Sequence, residues 1–377
     1  MKGITDKEII VANSAPVSGP YIASGDPLNA GIKAYFDMIN AQGGIDGRKI
    51  RFLHQDDGND PKRSREILEY FLKKEVFAYI GHYGPQVVSY TLKRIRDSHM
   101  PVIYFFTAIS DLYNEHAKTP EDGRNCFPIQ TIYITEGTVL AARAVSNFHA
   151  SSIGVIYSDD DTGRDLMIGI RKQCTALSLA CCARCQNIDC YDVEETVAHV
   201  LSHNVDAVII ASSLAAFVPI ALELARQNNK RPALTNYVNM NITKSLQIFD
   251  AVLGQYPLYA PSWVDYQDGR MEKLEDASEW LGDYAMNTYA HCGWMAGYVF
   301  CEGMKRLSGK EPTWENFTDA MEEAPFELPF GGKIDFANGV RLGAQEMTLY
   351  ELNRHAPIGW KQIDGLRSIQ ELLQTQK

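Results

Sequence analysis

Short, wholly apolar runs alternate along this chain with segments whose apolar residues recur every three or four positions. Runs of the first kind are expected to be strands buried on both faces, and segments of the second kind helices with one face on a core. Residues 9–16 read as a strand. A helix follows, with Leu28, Ile32, Tyr35, Phe36 and Ile39 on one apolar stripe. Asp26 is expected to cap it, with Pro27 in the first helical position. Gly43 and Gly44 are expected to end it. A second strand is expected over 49–54, leading into the polar loop Asp56-Asp57-Gly58-Asn59-Asp60-Pro61.

The alternation continues. Strands are expected at 76–80, 101–106, 152–157, 206–211 and 233–235, and helices at 86–98, 136–148, 163–178, 193–201, 214–227 and 283–307. Such a series folds as right-handed βαβ units, giving parallel sheets with helices on both faces. Two stretches break the rhythm: 119–130, rich in proline and charge, and 256–266, extended and proline-rich. At 377 residues the chain is long for one core, so two α/β domains are expected.

Composition narrows the function. Apolar residues make up 45% and charged residues 22%, ordinary for a globular chain. No run of eighteen apolar residues occurs, so no direct membrane insertion is expected. A net charge of −11 disfavours nucleic acid and anionic membrane surfaces. An enzyme is not expected: GxSxG, Walker, HExxH and strand-following GxGxxG motifs are all absent. His82 has no nucleophile or carboxylate near it in sequence. Asp159-Asp160-Asp161 precedes a helix, where capping and the helix dipole account for it.

Eight cysteines are present: Cys126, Cys174, Cys181, Cys182, Cys185, Cys190, Cys292 and Cys301. Five crowd into 174–190, and Cys182 and Cys185 have CxxC spacing. No second CxxC accompanies them. Buried thiols or local disulfides are therefore expected ahead of a zinc or redox site, and no metal or cofactor is expected.

The most specific signal lies in 18–61. Its Ser18-Gly19-Pro20, Ile39-Asn40 with Gly43-Gly44-Ile45, Gly47-Arg48, and Asp56-Asp57 with Asp60-Pro61 resemble the opening of the type I periplasmic solute-binding proteins, the leucine/isoleucine/valine-binding family of ABC transporters. Gly81-His82 resembles the family's next loop, and the similarity continues more weakly to about Phe336. The resemblance implies two Rossmann-like lobes with parallel sheets and a hinged cleft. It places 1–127 plus 264–330 in an N-terminal lobe and 128–263 plus 331–377 in a C-terminal lobe. It implies a small-molecule solute, delivery to an ABC membrane permease by hinged closure, a monomer, and a periplasmic or extracytoplasmic location. On that view the start Met replaces a removed signal; a cytoplasmic protein is the weaker alternative.

The same resemblance maps ligand-binding residues. They are Tyr21, Ser24, Tyr83, Gly84, Phe106, Thr107 and Ala108 in the first lobe, and Tyr133, Asp161, Thr162 and Tyr237 in the second. Phe106-Thr107-Ala108-Ile109-Ser110 matches the loop that holds the α-carboxylate in amino-acid-binding members. Small residues at helix N-termini, Ser24, Gly84, Thr107 and Ala108, are expected to offer N–H groups. The family's two ammonium-binding acids align with Tyr133 and Tyr237. An unpaired buried ammonium costs several kcal/mol, so the expected solute is a small carboxylate with an apolar or aromatic body. The alternatives are a branched-chain or hydrophobic amino acid, with Asp159–Asp161 as ammonium partner, and a cytoplasmic ligand sensor on the same fold.

Overall fold

The computed structural model describes residues 2–187, 189–267 and 270–374. Its strands are β1 (Glu8–Ala15), β2 (Lys49–Asp56), β3 (Ala78–Tyr83), β4 (Val102–Phe106), β5 (Cys126–Phe127), β6 (Ser152–Ser158), β7 (Ala180–Gln186), β8 (Ala207–Ala211), β9 (Ala233–Thr235), β10 (Leu258–Ser262), β11 (Phe326–Glu327), β12 (Lys333–Ile334), β13 (Glu346–Leu352) and β14 (Trp360–Ser368). The helices are α1 (Ile22–Ala41), α2 (Pro61–Lys73), α3 (Pro85–Ser98), α4 (Tyr133–Phe148), α5 (Asp161–Leu177), α6 (Val193–Ser202), α7 (Leu214–Arg226), α8 (Ile242–Val252), α9 (Arg270–Leu281), α10 (Thr288–Lys305), α11 (Trp314–Glu322) and α12 (Ile369–Gln374).

Two compact units result. The first is Met1–Gln130 with Asp268–Ala344; the second is Thr131–Gln267 with Gln345–Lys377. These bounds correct the expected ones. Residues 128–130 and 331–344 pack with the first unit, because the Ala344 N–H donates to the Ile129 carbonyl at 2.7 Å and buried Arg341 pairs with Glu322 at 2.6 Å. Residues 264–267 pack with the second, where the Tyr350 hydroxyl donates to the Val264 carbonyl at 3.2 Å. Residues 375–377 of the expected second lobe lie outside the described residues.

The first unit holds a parallel sheet of order β2-β1-β3-β4-β5. The second holds the order β14-β13-β10-β9-β8-β6-β7. From β7 to β10 it is parallel. The late strands β13 and β14 join it antiparallel, which helix–strand alternation did not predict.

The apolar stripe of α1 behaves as its spacing requires: Leu28, Ile32, Tyr35, Phe36 and Ile39 are all buried. Each such side chain contributes about 1.5–3 kcal/mol of hydrophobic stabilisation. Gly43 and Gly44 end the helix with φ of 112° and 83°. Its start differs from expectation. The helix begins at Ile22, so Asp26 lies inside it and accepts from the Tyr284 hydroxyl at 2.5 Å instead of capping. Gly25 explains the early start: a Cβ there would lie 2.0 Å from the Pro16 carbonyl oxygen, so only glycine lets the first turn close onto the end of β1.

Glycine also sets the helix pairs. A Cβ on Gly31 would lie 1.9 Å from the Ala290 carbonyl oxygen, and one on Gly293 2.0 Å from that of Leu28, so α1 and α10 meet backbone to backbone. In the second unit a Cβ on Gly169 would lie 1.9 Å from the Ile134 carbonyl oxygen and one on Gly137 2.2 Å from that of Leu166, joining α4 to α5 in the same way. Gly31→Ala should therefore destabilise the first unit. Helix propensity alone favours alanine by about 1 kcal/mol, but a backbone clash has no rotamer to escape into, and overpacking costs about 1–3 kcal/mol or more. Urea unfolding checks the sign; an equally or more stable variant would refute the close approach.

Candidate functional site

Each sheet changes its direction of strand addition beside the unit's first strand, between β1 and β3 and again between β6 and β8. In open α/β sheets ligands bind beyond the carboxyl ends of strands at such points. The residues mapped from sequence fall at these two edges.

In the first unit, Tyr21 closes a 3-10 turn (Gly19–Tyr21) and Ser24 lies in the first turn of α1. The Ser24 hydroxyl is 2.6 Å from that of Tyr83 and donates to the Tyr21 carbonyl at 2.9 Å. Tyr21 and Tyr83 meet edge to face at 6.4 Å. Tyr83 ends β3 and stacks on Phe106, which ends β4, at 5.3 Å and 15°. Phe106 in turn stands edge-on to Tyr289 of α10 at 5.4 Å. Burial raises the Tyr83 pKa, so its hydroxyl stays protonated. Gly84 adopts φ 87° and precedes α3; its N–H donates to the Phe106 carbonyl at 3.2 Å, so that donor is already used.

Thr107 and Ala108 are fully buried just past β4. The Thr107 hydroxyl has no hydrogen-bond partner among the described residues. Neither residue opens a helix: the next turn, a 3-10 segment, begins at Ser110. The expected helix N-terminus is thus absent here, and the polar group on offer is the threonine side chain.

In the second unit, Asp160 caps α5, accepting from Gly163 N–H and the Ser158 hydroxyl at 2.9 Å each. Asp161 is the first helical residue and lies 3.6 Å from the Arg164 guanidinium, so the acid mapped as an ammonium partner already has a cation beside it. Thr162 is buried in the same turn. Tyr133 opens α4 and is buried. Tyr237 opens a 3-10 turn after β9, and its ring stands edge-on to Trp263 at 6.0 Å.

Glu136 is the residue that sequence reasoning missed. It lies one turn into α4, fully buried, and its Oε1 accepts from the Tyr237 N–H at 2.6 Å. Burial pushes its pKa up to about 8, opposed in part by that hydrogen bond. A signal was available: Glu136 falls three residues after Tyr133 and four before Leu140, on an otherwise apolar helical face. Glu136 Oε2, the Ser212 and Ser213 hydroxyls, Asn236 Nδ2 and Asn239 Oδ1 are buried without hydrogen-bond partners among the described residues. Ser212, Asn236 and Asn239 form one network, since Asn236 Oδ1 accepts from Ser212 N–H and Asn239 Nδ2 donates to the Ser212 carbonyl, both at 3.1 Å. Each unmet group costs about 1–3 kcal/mol, which a polar solute or water at this edge would recover.

Two other candidates change character. His82 is a buried core residue whose Nε2 pairs with the Thr91 hydroxyl at 2.8 Å; burial holds its pKa down at about 4. Cys182-x2-Cys185 is followed by His199-x3-His203 after thirteen residues, a zinc-finger spacing that the sequence reading overlooked. Both cysteines lie in β7. Three positions apart in a strand, they point to opposite faces, and no three His, Cys, Asp or Glu converge on a metal position among the described residues.

A family model described as periplasmic binding protein matches residues 8–356. "Leu/Ile/Val-binding protein homolog 2" of Brucella abortus is 32% identical over 87 residues, 23% of this chain and 24% of that protein. The matched stretch thus spans about a quarter of this curated relative. Among solved structures, a fatty acid ABC transporter substrate-binding protein from Thermomonospora curvata aligns with a TM-score of 0.83 at 18% identity, covering 99% of this chain and 95% of that one. A branched chain amino acid ABC transporter protein from Thermus thermophilus, with bound valine, aligns with a TM-score of 0.82 at 14% identity, covering 97% of each chain. Such identities establish a shared fold.

Glu136 makes stability depend on pH in a defined direction. Its carboxyl pKa rises from 4.5 to about 8 on folding, so between those values the native state holds a proton that the unfolded chain releases. Stability should fall as pH rises across that window and then level off. Glu136→Gln keeps the acceptor for Tyr237 N–H and should remove this slope. Urea unfolding of both proteins from pH 5 to 9 checks it; parallel curves would count against a protonated Glu136.

Proposed function

Because the chain belongs to the periplasmic binding protein family, we propose that it is the solute-binding component of an ABC transporter, acting outside the cytoplasm without catalysing a reaction. Its solute is a small carboxylate with an apolar or aromatic body, which it delivers to a membrane permease. The observation that carries this reading is the buried Thr107 hydroxyl, without a hydrogen-bond partner among the described residues and one position past Phe106, whose ring stacks on Tyr83. A hydroxyl donor next to aromatic faces suits a carboxylate attached to an apolar group. At the second unit's edge Tyr133 and Tyr237 accompany Glu136, whose raised pKa leaves it protonated at neutral pH. A neutral acid there accepts an anionic or uncharged solute without adding a like charge. The Thermomonospora curvata protein, named for fatty acids, is a fold relative whose named ligands have this chemistry.

A second reading, a hydrophobic amino acid, is favoured by Glu136 itself. An ammonium placed at its partnerless Oε2 would draw the proton off and restore a buried ion pair. The names of the Brucella abortus relative and of the valine-bound Thermus thermophilus protein agree with this alternative.

A thermal-shift screen with matched pairs separates them, each aliphatic or aromatic acid tested beside its α-amino derivative. Ligands raise the melting temperature by mass action. The acids should shift it and their amino derivatives should not; the reverse pattern selects the second reading, and no response from either class refutes both. Thr107→Val, nearly isosteric, should weaken the best acid by about 1.5–3 kcal/mol, the value of a hydrogen bond to a charged group. Calorimetry that finds unchanged affinity would remove Thr107 from the site.

A further inference from the structure

The end of α5 is folded back onto the strand that follows it. Ser178 takes the left-handed conformation, φ 55°, and the Leu179 N–H returns to the Cys174 carbonyl at 2.9 Å. β7 starts at the next residue, Ala180, as the edge strand of the second unit's sheet. The reversal lays Cys181 alongside the last turn of α5, which sets its thiol beside that of Cys174. Cys174 is buried and Cys181 exposed, so solvent reaches the pair from one side. Cys182 follows on the opposite face of the strand.

We infer that Cys174 and Cys181 are a disulfide-forming pair, oxidised by thiol–disulfide exchange with a small-molecule disulfide such as oxidised glutathione. The Cys181 thiolate attacks one sulfur of the reagent, forming a mixed disulfide and releasing one equivalent of thiolate. Cys174 then gives its proton to solvent, and its thiolate attacks the Cys181 sulfur. The protein S–S bond forms, the mixed disulfide breaks, and a second thiolate leaves. Two electrons pass from the protein thiols to the reagent, which ends as two thiols. The order of attack follows from access and from charge. The neighbouring Cys174 thiol and, against partial burial, the Arg171 guanidinium favour the thiolate at Cys181, while the same proximity raises the Cys174 pKa. An accessible thiolate beside a second thiol is the arrangement that exchange requires. The pair lies at the N-terminal end of β7, whereas the polar edge around Asp160 and Tyr237 lies at the carboxyl ends of the strands. Oxidation therefore leaves that edge unchanged.

The test uses the whole reduced chain in its folded state. It is exposed to oxidised glutathione, alkylated, cut with trypsin and weighed. Peptide 173–184 carries Cys174, Cys181 and Cys182. It should lose two hydrogens and take alkylation only at Cys182. Cys174→Ser should stop at a glutathione adduct on Cys181, whereas Cys181→Ser should leave Cys174 unmodified. Cys182→Ser should retain the bond, and circular dichroism verifies that each variant is folded. A fully alkylated peptide from folded wild-type protein, or a bond to Cys182 or Cys185 in place of this pair, overturns the inference.

Discussion

In each unit one pair of helices is held at backbone-to-backbone distance, and glycine permits it. α1 meets α10 through Gly31 and Gly293, and α4 meets α5 through Gly137 and Gly169. Backbone contact leaves little freedom for sliding, because no side chain can rotate to absorb a shift. The helices concerned also carry the site. α1 begins with Tyr21 just before it and Ser24 in its first turn; α4 begins with Tyr133 and Glu136; α5 begins with Asp161 and Thr162. A second set of glycines fixes where two of these helices start. Gly25 lies on the Pro16 carbonyl and Gly163 on that of Ser158, so the first turns of α1 and α5 sit tightly on the ends of β1 and β6.

The two edges placed in this way are chemically different. The first unit's edge is aromatic, with a hydroxyl at Thr107 that has no partner among the described residues and a hydroxyl pair already satisfied between Ser24 and Tyr83. The second carries amide and hydroxyl groups, several of them unmet among the described residues, together with the buried acids Glu136 and Asp160. Glu136 holds the Tyr237 turn through a short hydrogen bond and is kept neutral by burial. Keeping a carboxyl protonated near neutral pH needs an environment without a compensating cation. The same property makes this group responsive to any solute that brings one.

Much of the fold was legible. The stripe Leu28–Ile39, the glycine stop at 43–44 and the apolar strands report local burial and local backbone conformation, which periodicity encodes directly. Errors arose where a neighbour distant in sequence decided the outcome. Asp26 has the residue type of a cap, but Tyr284 takes its carboxylate and the helix starts a turn earlier. The tail from 331 to 344 joins the first unit because Ile129 and Glu322 hold it there.

The sequence by itself determined the βαβ series, the family and the residue types at the strand ends, since each follows from short-range pattern. Tertiary structure alone decided which atoms at those ends lack a partner among the described residues, which acid meets a cation and which is held protonated. Asp161, prominent in sequence, stands beside Arg164; Glu136, hidden in an apolar helix face, keeps its proton. The CxxC spacing loses its meaning once a strand turns its two thiols apart, while Cys174 and Cys181 meet because the chain reverses between them. Protonation and pairing depend on desolvation and on partners far along the chain, and neither quantity is carried by local sequence.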